Sequence, residues 1–175
     1  MIRYFTIFFF IIIVPLSAKT NNIAVIEIEK LINNNSEYLS ILDKMATNQN
    51  KYLLEFEESE KKLENMLEEI ENSKILLDEN EINKLLYEYN NKVKKFTSLV
   101  DSFNVHYQVQ LTNLRKIILE NIIILVENYV KNNNIDIVLD SNNYIIASNT
   151  LNITNYIEEK LKNIKLNLRF EDFEK

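Results

Sequence analysis

Glycine, cysteine and tryptophan are missing from this chain, and proline and histidine are each close to absent, with one prolyl residue and one histidine in 175 positions. The lack of glycine excludes the usual phosphate-cradling loops, dinucleotide turns and nucleophile elbows, which need a positive φ or a backbone with no Cβ in the way. Nucleotide-driven work is thereby set aside. The lack of cysteine removes disulfides, thiolate nucleophiles and thiolate zinc sites, so the fold must be held by burial alone. His106 is the one histidine: a zinc site there would have carboxylates alone beside it, no Ser-His-Asp arrangement can be argued for a histidine on a protruding coil, and it reads as a surface residue. The acid pairs Glu57-Glu58 and Glu68-Glu69 read as a solvated helix face. No catalytic group, metal site or cofactor is expected, and the chain is read as not an enzyme. Its net charge of −6 gives no broad electrostatic footprint for nucleic acid.

What is present begins with a secretory pattern. Arg3 precedes an apolar run from Tyr4 to Val14, and Pro15-Leu16-Ser17-Ala18 supplies a cleavage region, giving a signal peptide over 1–18. The run is about 11 residues where about 20 would be needed to cross a bilayer. An uncleaved N-terminal anchor is the other reading. Asparagine takes over the left-handed positions that glycine would fill, and Asn33-Asn34-Asn35 and Asn132-Asn133-Asn134 read as helix stops.

Asn22 to Glu29 alternates β-branched and polar residues, a short strand that turns into a short helix over Glu27 to Ile32. Ser36 is expected to cap a long helix. That helix carries a 4-3 ladder from Tyr38 through Leu42, Met45, Gln49, Tyr52, Phe56, Ser59, Leu63, Met66, Ile70 and Ser73 to Leu77. A 3.5-residue period sustained this long predicts a coiled coil. A turn near Leu77 to Asn80 follows, and Asp78 with Glu81 forms a capping box that starts a second helix at about Glu79. Its ladder runs Leu86, Tyr89, Val93, Phe96, Val100, Phe103, Tyr107, Leu111, Leu114, Ile118, with a stutter at Leu111. The nearly all-apolar stretch from Ile117 to Val130 is expected to re-enter a base and be buried there. The outgoing leg should reach about 60 Å and the returning one about 80 Å. Glu55 to Glu81 holds eleven acids and three lysines, whereas Ile82 to Lys131 holds seven basic and four acidic residues, so the legs differ in sign.

Beyond the arm, Ile135 to Asp140 reads as a strand, Ser141-Asn142-Asn143 as a turn, and Tyr144 to Ala147 as a further strand, a hairpin. Thr154 caps a last helix to about Ile164 with Tyr156, Ile157 and Leu161 on one face. The tail, 166–175, has no assignment. Three short strands cannot close a sheet in one chain. The fold class is therefore α+β: a long antiparallel helical-hairpin coiled-coil arm over 36–131, on a small β body assembled from strands of several subunits. The body comprises 19–35 and 132–165, and Ile23, Val25, Ile137, Leu139, Ile145 and Ala147 are its candidate oligomerisation core.

The aromatic and aliphatic residues of the arm divide into two sets. Tyr52, Phe56, Leu63, Ile70, Tyr89, Phe96, Phe103 and Tyr107 are expected to fill the interhelical seam; the alternative for the aromatic ones is that some face an open cavity and contact unfolded clients, and helical period does not separate the two. Leu39, Leu53, Leu54 and Tyr87 lie off the ladder and are the candidates for contact with unfolded clients. Gln49, Ser59 and Ser73 interrupt the apolar seam and are candidate soft points.

Ile23-Ala24-Val25-Ile26, then Ile135-Asp136-Ile137-Val138-Leu139-Asp140, then Ile153-Thr154, in that order around a coiled arm, resembles the Skp/OmpH family of periplasmic chaperones. The resemblance spans the whole mature chain. It implies a homotrimer whose strands form a common body, with three arms around a cavity. It also implies an ATP-independent periplasmic holdase for unfolded outer-membrane proteins, with membrane contact only indirect. Glu27 and Asn152 stand where the family usually has aspartate. Well-studied members are basic and this chain is acidic, so no lipopolysaccharide-binding residues are carried over. The competing expectation is a structural coiled-coil spacer or adaptor of the cell envelope that meets a folded partner at the arm tip, near Leu77 to Glu81.

Overall fold

The computed structural model describes residues 21–174, and the expected signal peptide lies outside them. Strand β1 (Ile23–Ile26) leads into a short helix α1 (Ile28–Asn33), then α2 (Ser36–Ser73) and α3 (Glu79–Asn133), strand β2 (Ile137–Asp140) and helix α4 (Thr154–Lys162). The two long helices, of 38 and 55 residues, span about 57 and 82 Å. They form the expected hairpin arm, and the longer one runs on into the base.

The helix ends follow from local chemistry. Asp78 accepts from the Glu81 amide at 2.9 Å while the Glu81 carboxylate accepts from the Asp78 amide at 3.3 Å, so the expected capping box closes the tip turn. Asn134 ends α3 at φ 51°, the left-handed stop that glycine would otherwise supply. Two expected caps fall one residue away. Asn35, not Ser36, caps α2, its Oδ1 accepting from the Tyr38 amide at 2.9 Å. Thr154 is already the first helical residue of α4, and the Asn152 carboxamide oxygen accepts its amide at 2.8 Å. Asn34, after α1, stays in the right-handed region.

β1 and β2 pair in parallel, with Ile23 opposite Ile137 and Ile26 opposite Asp140. The whole arm is thus the crossover that a parallel pair requires. The expected hairpin does not form. Residues Ser141–Asn143 make a 3₁₀ turn, and Tyr144 to Ala147 form no strand. The cause is Asp140: one oxygen accepts from the Ile28 amide at 3.1 Å and the other from the Asn142 side chain at 2.9 Å. That ties the end of β2 to α1 and turns the chain away from β2. The chain instead returns on the far side of β1, where a single bridge joins Val25 and Asn152 and Val25 O accepts from Ile153 N at 2.9 Å.

The core runs from the base into the root of the arm. Leu31, Leu114, Ile118, Ile122, Ile157 and Leu161 are the most deeply buried apolar side chains. Leu111, expected in the ladder, is exposed, and burial passes from Tyr107 to Leu114. Ile123 and Ile124 are also exposed, so the apolar end of α3 is covered on one side only. α4 and the two-stranded sheet are too small to wrap it.

Candidate functional site

The candidate site is the arm with the base that holds it. At the root, rings from both legs interlock. Phe103 of α3 meets Phe56 of α2 edge-on at 5.0 Å and lies 4.6 Å from Tyr107. Such pairs contribute about 0.5–1.5 kcal/mol beyond their area. The Tyr107 hydroxyl donates to Asn48 Oδ1 across the legs. Burial, and then the charge of Asp172, push the Tyr107 phenol above its ordinary range. Arg115 grips Glu29 of α1 with both contacts at 2.6–2.7 Å. Those hydrogen bonds to Glu29, and one to Tyr38, hold its guanidinium still more firmly protonated than usual.

Farther out the seam is looser. Phe56 and Ile70 are buried, but Leu63, Tyr89 and Phe96 are only half-buried. An open groove lies there between the legs, lined by Ser59, Leu63, Met66, Lys92, Phe96 and Leu99. Lys92 Nζ approaches Met66 Sδ at 3.7 Å. All eight expected seam residues are buried or half-buried. Leu39, Leu53, Leu54 and Tyr87 are exposed, as are Ile75 and Leu76 in the tip turn, at 90% and 85%.

The expected oligomerisation residues divide. Val25 is buried within its own chain at 3%, between β2 and the Asn152 bridge. Leu139 and Ala147 are half-buried, Ile23 and Ile137 are open, and Ile145 is fully exposed. Ile145 belongs to no strand, so its place in a shared sheet is not prepared within one chain. Beside β2 a shallow apolar groove is lined by Ile26, Ile28, Ile123, Val126, Val130 and Val138.

The motif residues at the two ends of the chain meet in one node. Glu27 N donates to Thr154 Oγ1 at 2.9 Å, and the Asn152 amide group donates to Glu27 Oε1 at 3.1 Å. With Asp140 on Ile28 N, these contacts lock the start of α1 to β2 and α4. Thr154 is 1% exposed and fully bonded. Glu27 and Asn152, the two departures from the aspartate pattern, are thus partners: an amide donates to a carboxylate, where two carboxylates would repel.

Sequence reasoning missed the tail. Leu166 and Leu168 are buried, and their amides donate to the two oxygens of Glu37 at 3.2 and 2.7 Å. Phe173 is buried among Tyr52, Phe103 and His106, at 5.3 to 5.5 Å between ring centroids. His106, expected on the surface, is half-buried and bonds Glu171 O at 2.8 Å. The available signal was the alternation Leu166, Leu168, Phe170, a period-two pattern with no partner strand in view. Among the described residues, no cluster of three or more His, Cys, Asp or Glu could hold a metal ion, and no helix is long and apolar enough to cross a membrane.

A helical-hairpin arm crossing over from one strand of a small parallel pair to the other defines the class of architecture. A family model described as outer membrane protein (OmpH-like) matches residues 22–161. The chain belongs to this OmpH-like family. A solved structure of a proposed OmpH-like outer membrane chaperone from Caulobacter crescentus CB15 superposes with a TM-score of 0.71 at 9% identity, covering 89% of this chain and 92% of that one. At that identity the likeness is one of fold. No curated protein sequence matches the chain.

Proposed function

We propose that this protein is an ATP-independent periplasmic holdase that binds unfolded outer-membrane proteins between the arms of a homotrimer. One observation carries the reading: the arm presents Leu39, Leu53, Leu54 and Tyr87 to solvent, scattered along its length. Scattered apolar contacts of this kind are individually weak and sum through multivalency, so capture can be tight and release needs no nucleotide. Membership of the OmpH-like family supports it, as does the fold shared with a proposed chaperone. The trimer is supported by the open side of β2, the exposed Ile137 and Ile145, and the uncovered Ile123 and Ile124. An open strand edge beside an apolar face is an association surface.

The test is dilution of a urea-unfolded outer-membrane β-barrel protein into buffer with residues 19–175 and no ATP. Light scattering reads aggregation, and native mass spectrometry reads stoichiometry. Suppressed aggregation with three chains per client is the expected result. Unchanged aggregation removes the holdase reading. The spacer or adaptor reading is favoured by Ile75 and Leu76, the most exposed apolar pair on the arm, at its tip. It predicts saturable binding to one folded partner, lost in Ile75→Ser/Leu76→Ser, with no effect on unfolded chains.

A further inference from the structure

The tail lies in a groove that is built to read very little of it. Hydrogen bonds between the described tail residues and the arm use main-chain groups of the tail. The amides of Leu166 and Leu168 donate to Glu37, Glu171 O bonds the His106 ring, and Phe173 O accepts from the Tyr52 hydroxyl at 2.6 Å. Side chains enter at alternate positions: Leu166 and Leu168 are buried while Asn167 and Arg169 are exposed. Phe170 then packs on Tyr107 at 5.7 Å, and Phe173 drops into the ring cluster between the legs. Asn167 passes through the left-handed region at φ 54°, so the two leucine amides converge on one carboxylate across a turn, and the chain runs on from there along α2 to Tyr52.

Two further observations make it an occupant rather than a part of the scaffold. The family match ends at residue 161, before the tail, while the groove residues Glu37, Tyr52, Phe103, His106 and Tyr107 lie inside it. The tail forms no helix or strand, and it joins the core of the root only by laying Leu166, Leu168 and Phe173 onto it. Burial of a few apolar side chains is opposed by the ordering of nine residues, terms of similar size, so displacement is within reach of a competing segment.

We infer that residues 166–174 are an internal occupant of a polypeptide-binding groove at the arm root, and that the groove takes a segment that turns once at its entry, on Glu37, and then sends apolar side chains into the ring cluster. A segment of an unfolded outer-membrane protein has that chemistry: its main chain offers the same amides and carbonyls and is free to turn, and its apolar side chains supply the anchors. The inference rests on the holdase reading for its client and deepens it, placing one capture site under the control of the chain's own tail.

The experiment is a fluorescence-anisotropy titration of a labelled peptide with the sequence of residues 165–175 against the mature full chain and against its Phe170→Ser/Phe173→Ser variant. In the unaltered chain the tethered tail competes at millimolar effective concentration. The variant is expected to bind at least about tenfold more tightly. A variant that keeps its helical circular dichroism and binds the peptide no better overturns the inference. Should the variant lose helix, the unaltered chain gives the answer through hydrogen exchange. The Leu166 and Leu168 amides should lose protection in excess peptide, and unchanged protection overturns the proposal. The aggregation assay runs separately. Peptide exchange without aggregation suppression sinks the holdase and keeps the groove; suppression without peptide exchange sinks the groove and keeps the holdase.

Discussion

The root of the arm and its distal half are written in the same 4-3 ladder and end up packed differently. At the root, Phe56, Phe103 and Tyr107 are buried, their rings meet at 4.6 to 5.0 Å, and Phe173 closes over them. Distally, Leu63, Tyr89 and Phe96 stay half-buried and a groove opens between the legs. Two helices side by side each bury one stripe and leave the flanks of that stripe wet. A third layer seals it at the root, from the tail and from the base; beyond it full burial returns only at Ile70, near the end of α2. Heptad period thus fixes which face turns inward but not how completely it is covered. Local stability follows coverage, so the arm should be firm at the root and most compliant around Leu63 and Phe96, where the groove opens.

The strongest way to break this comparison is to truncate one seam residue in each half. Phe103→Ala should cost about 3–5 kcal/mol, the range for a buried aromatic whose neighbours cannot collapse into the space. Leu63→Ala removes a half-buried side chain and should cost about 1–2 kcal/mol. Guanidinium unfolding followed by circular dichroism measures both. Equal costs would mean that the distal seam is as well packed as the root.

The difference between the halves marks where the sequence was legible. The legs, the Asp78–Glu81 box and the Asn134 stop were readable, because each rests on contacts within a few residues, whereas the turn falls earlier than expected, at 74–78, since α2 ends at Ser73 and Leu77 lies outside it. The seam was readable because period 3.5 survives any tertiary context. What failed depended on distant partners. The hairpin at 141–147 was a fair reading of a turn between two apolar runs, but Asp140 is claimed by Ile28, 112 residues away. Leu111 lost its place because α3 leaves α2 and turns its buried face toward the base. Val25 was assigned to an interface but is covered by Asn152 of its own chain. The motif residues Glu27, Asp140, Asn152 and Thr154 were visible one by one, yet nothing in their spacing said that they meet. The tail was illegible because its partner groove exists only after the two legs have paired.

The distal half can be sharpened at its end. Asp78→Ala removes the cap that starts α3 and should cost about 1 kcal/mol. If the tip opens independently of the root, hydrogen exchange will rise around residues 74–85 while the global midpoint holds. A matching fall in the global midpoint would join the halves into one cooperative unit. A smaller effect is expected in the other direction from the triple replacement Gln49→Leu, Ser59→Leu and Ser73→Leu. The Ser59 and Ser73 hydroxyls donate back to the carbonyls of Glu55 and Glu69 at 2.8 and 2.7 Å, a contact that bends and slightly weakens helices. With leucine there the arms should stiffen, slowing exchange and reducing capacity for large clients. Normal capacity in the triple variant would remove these positions as soft points.

The smallest expected effect tests the root through pH. The Tyr107 phenol is raised by burial first and by Asp172 second, so the folded state resists its ionisation more than the unfolded chain does. A group whose folded value lies above its unfolded one contributes stability that is whole below about pH 10 and is lost as pH climbs through the folded value. The ionised form would also lose its donation to Asn48 and stand as a phenolate beside Asp172, a residue held there by the tail. Tyr107→Phe should therefore be less stable than the unaltered chain near neutrality, by about 1 kcal/mol for the lost hydrogen bond. The gap should close as pH rises toward 11, because only the unaltered chain has that proton to lose. Thermal melts of both chains across this range isolate the group, because every other tyrosine is common to both. If the gap stays constant, the phenol is free to ionise in place and the root is wetter than its packing implies. If it closes in the full chain but not in Phe170→Ser/Phe173→Ser, the tail is what seals the root, and the contrast between the two halves of the arm follows from those last nine residues.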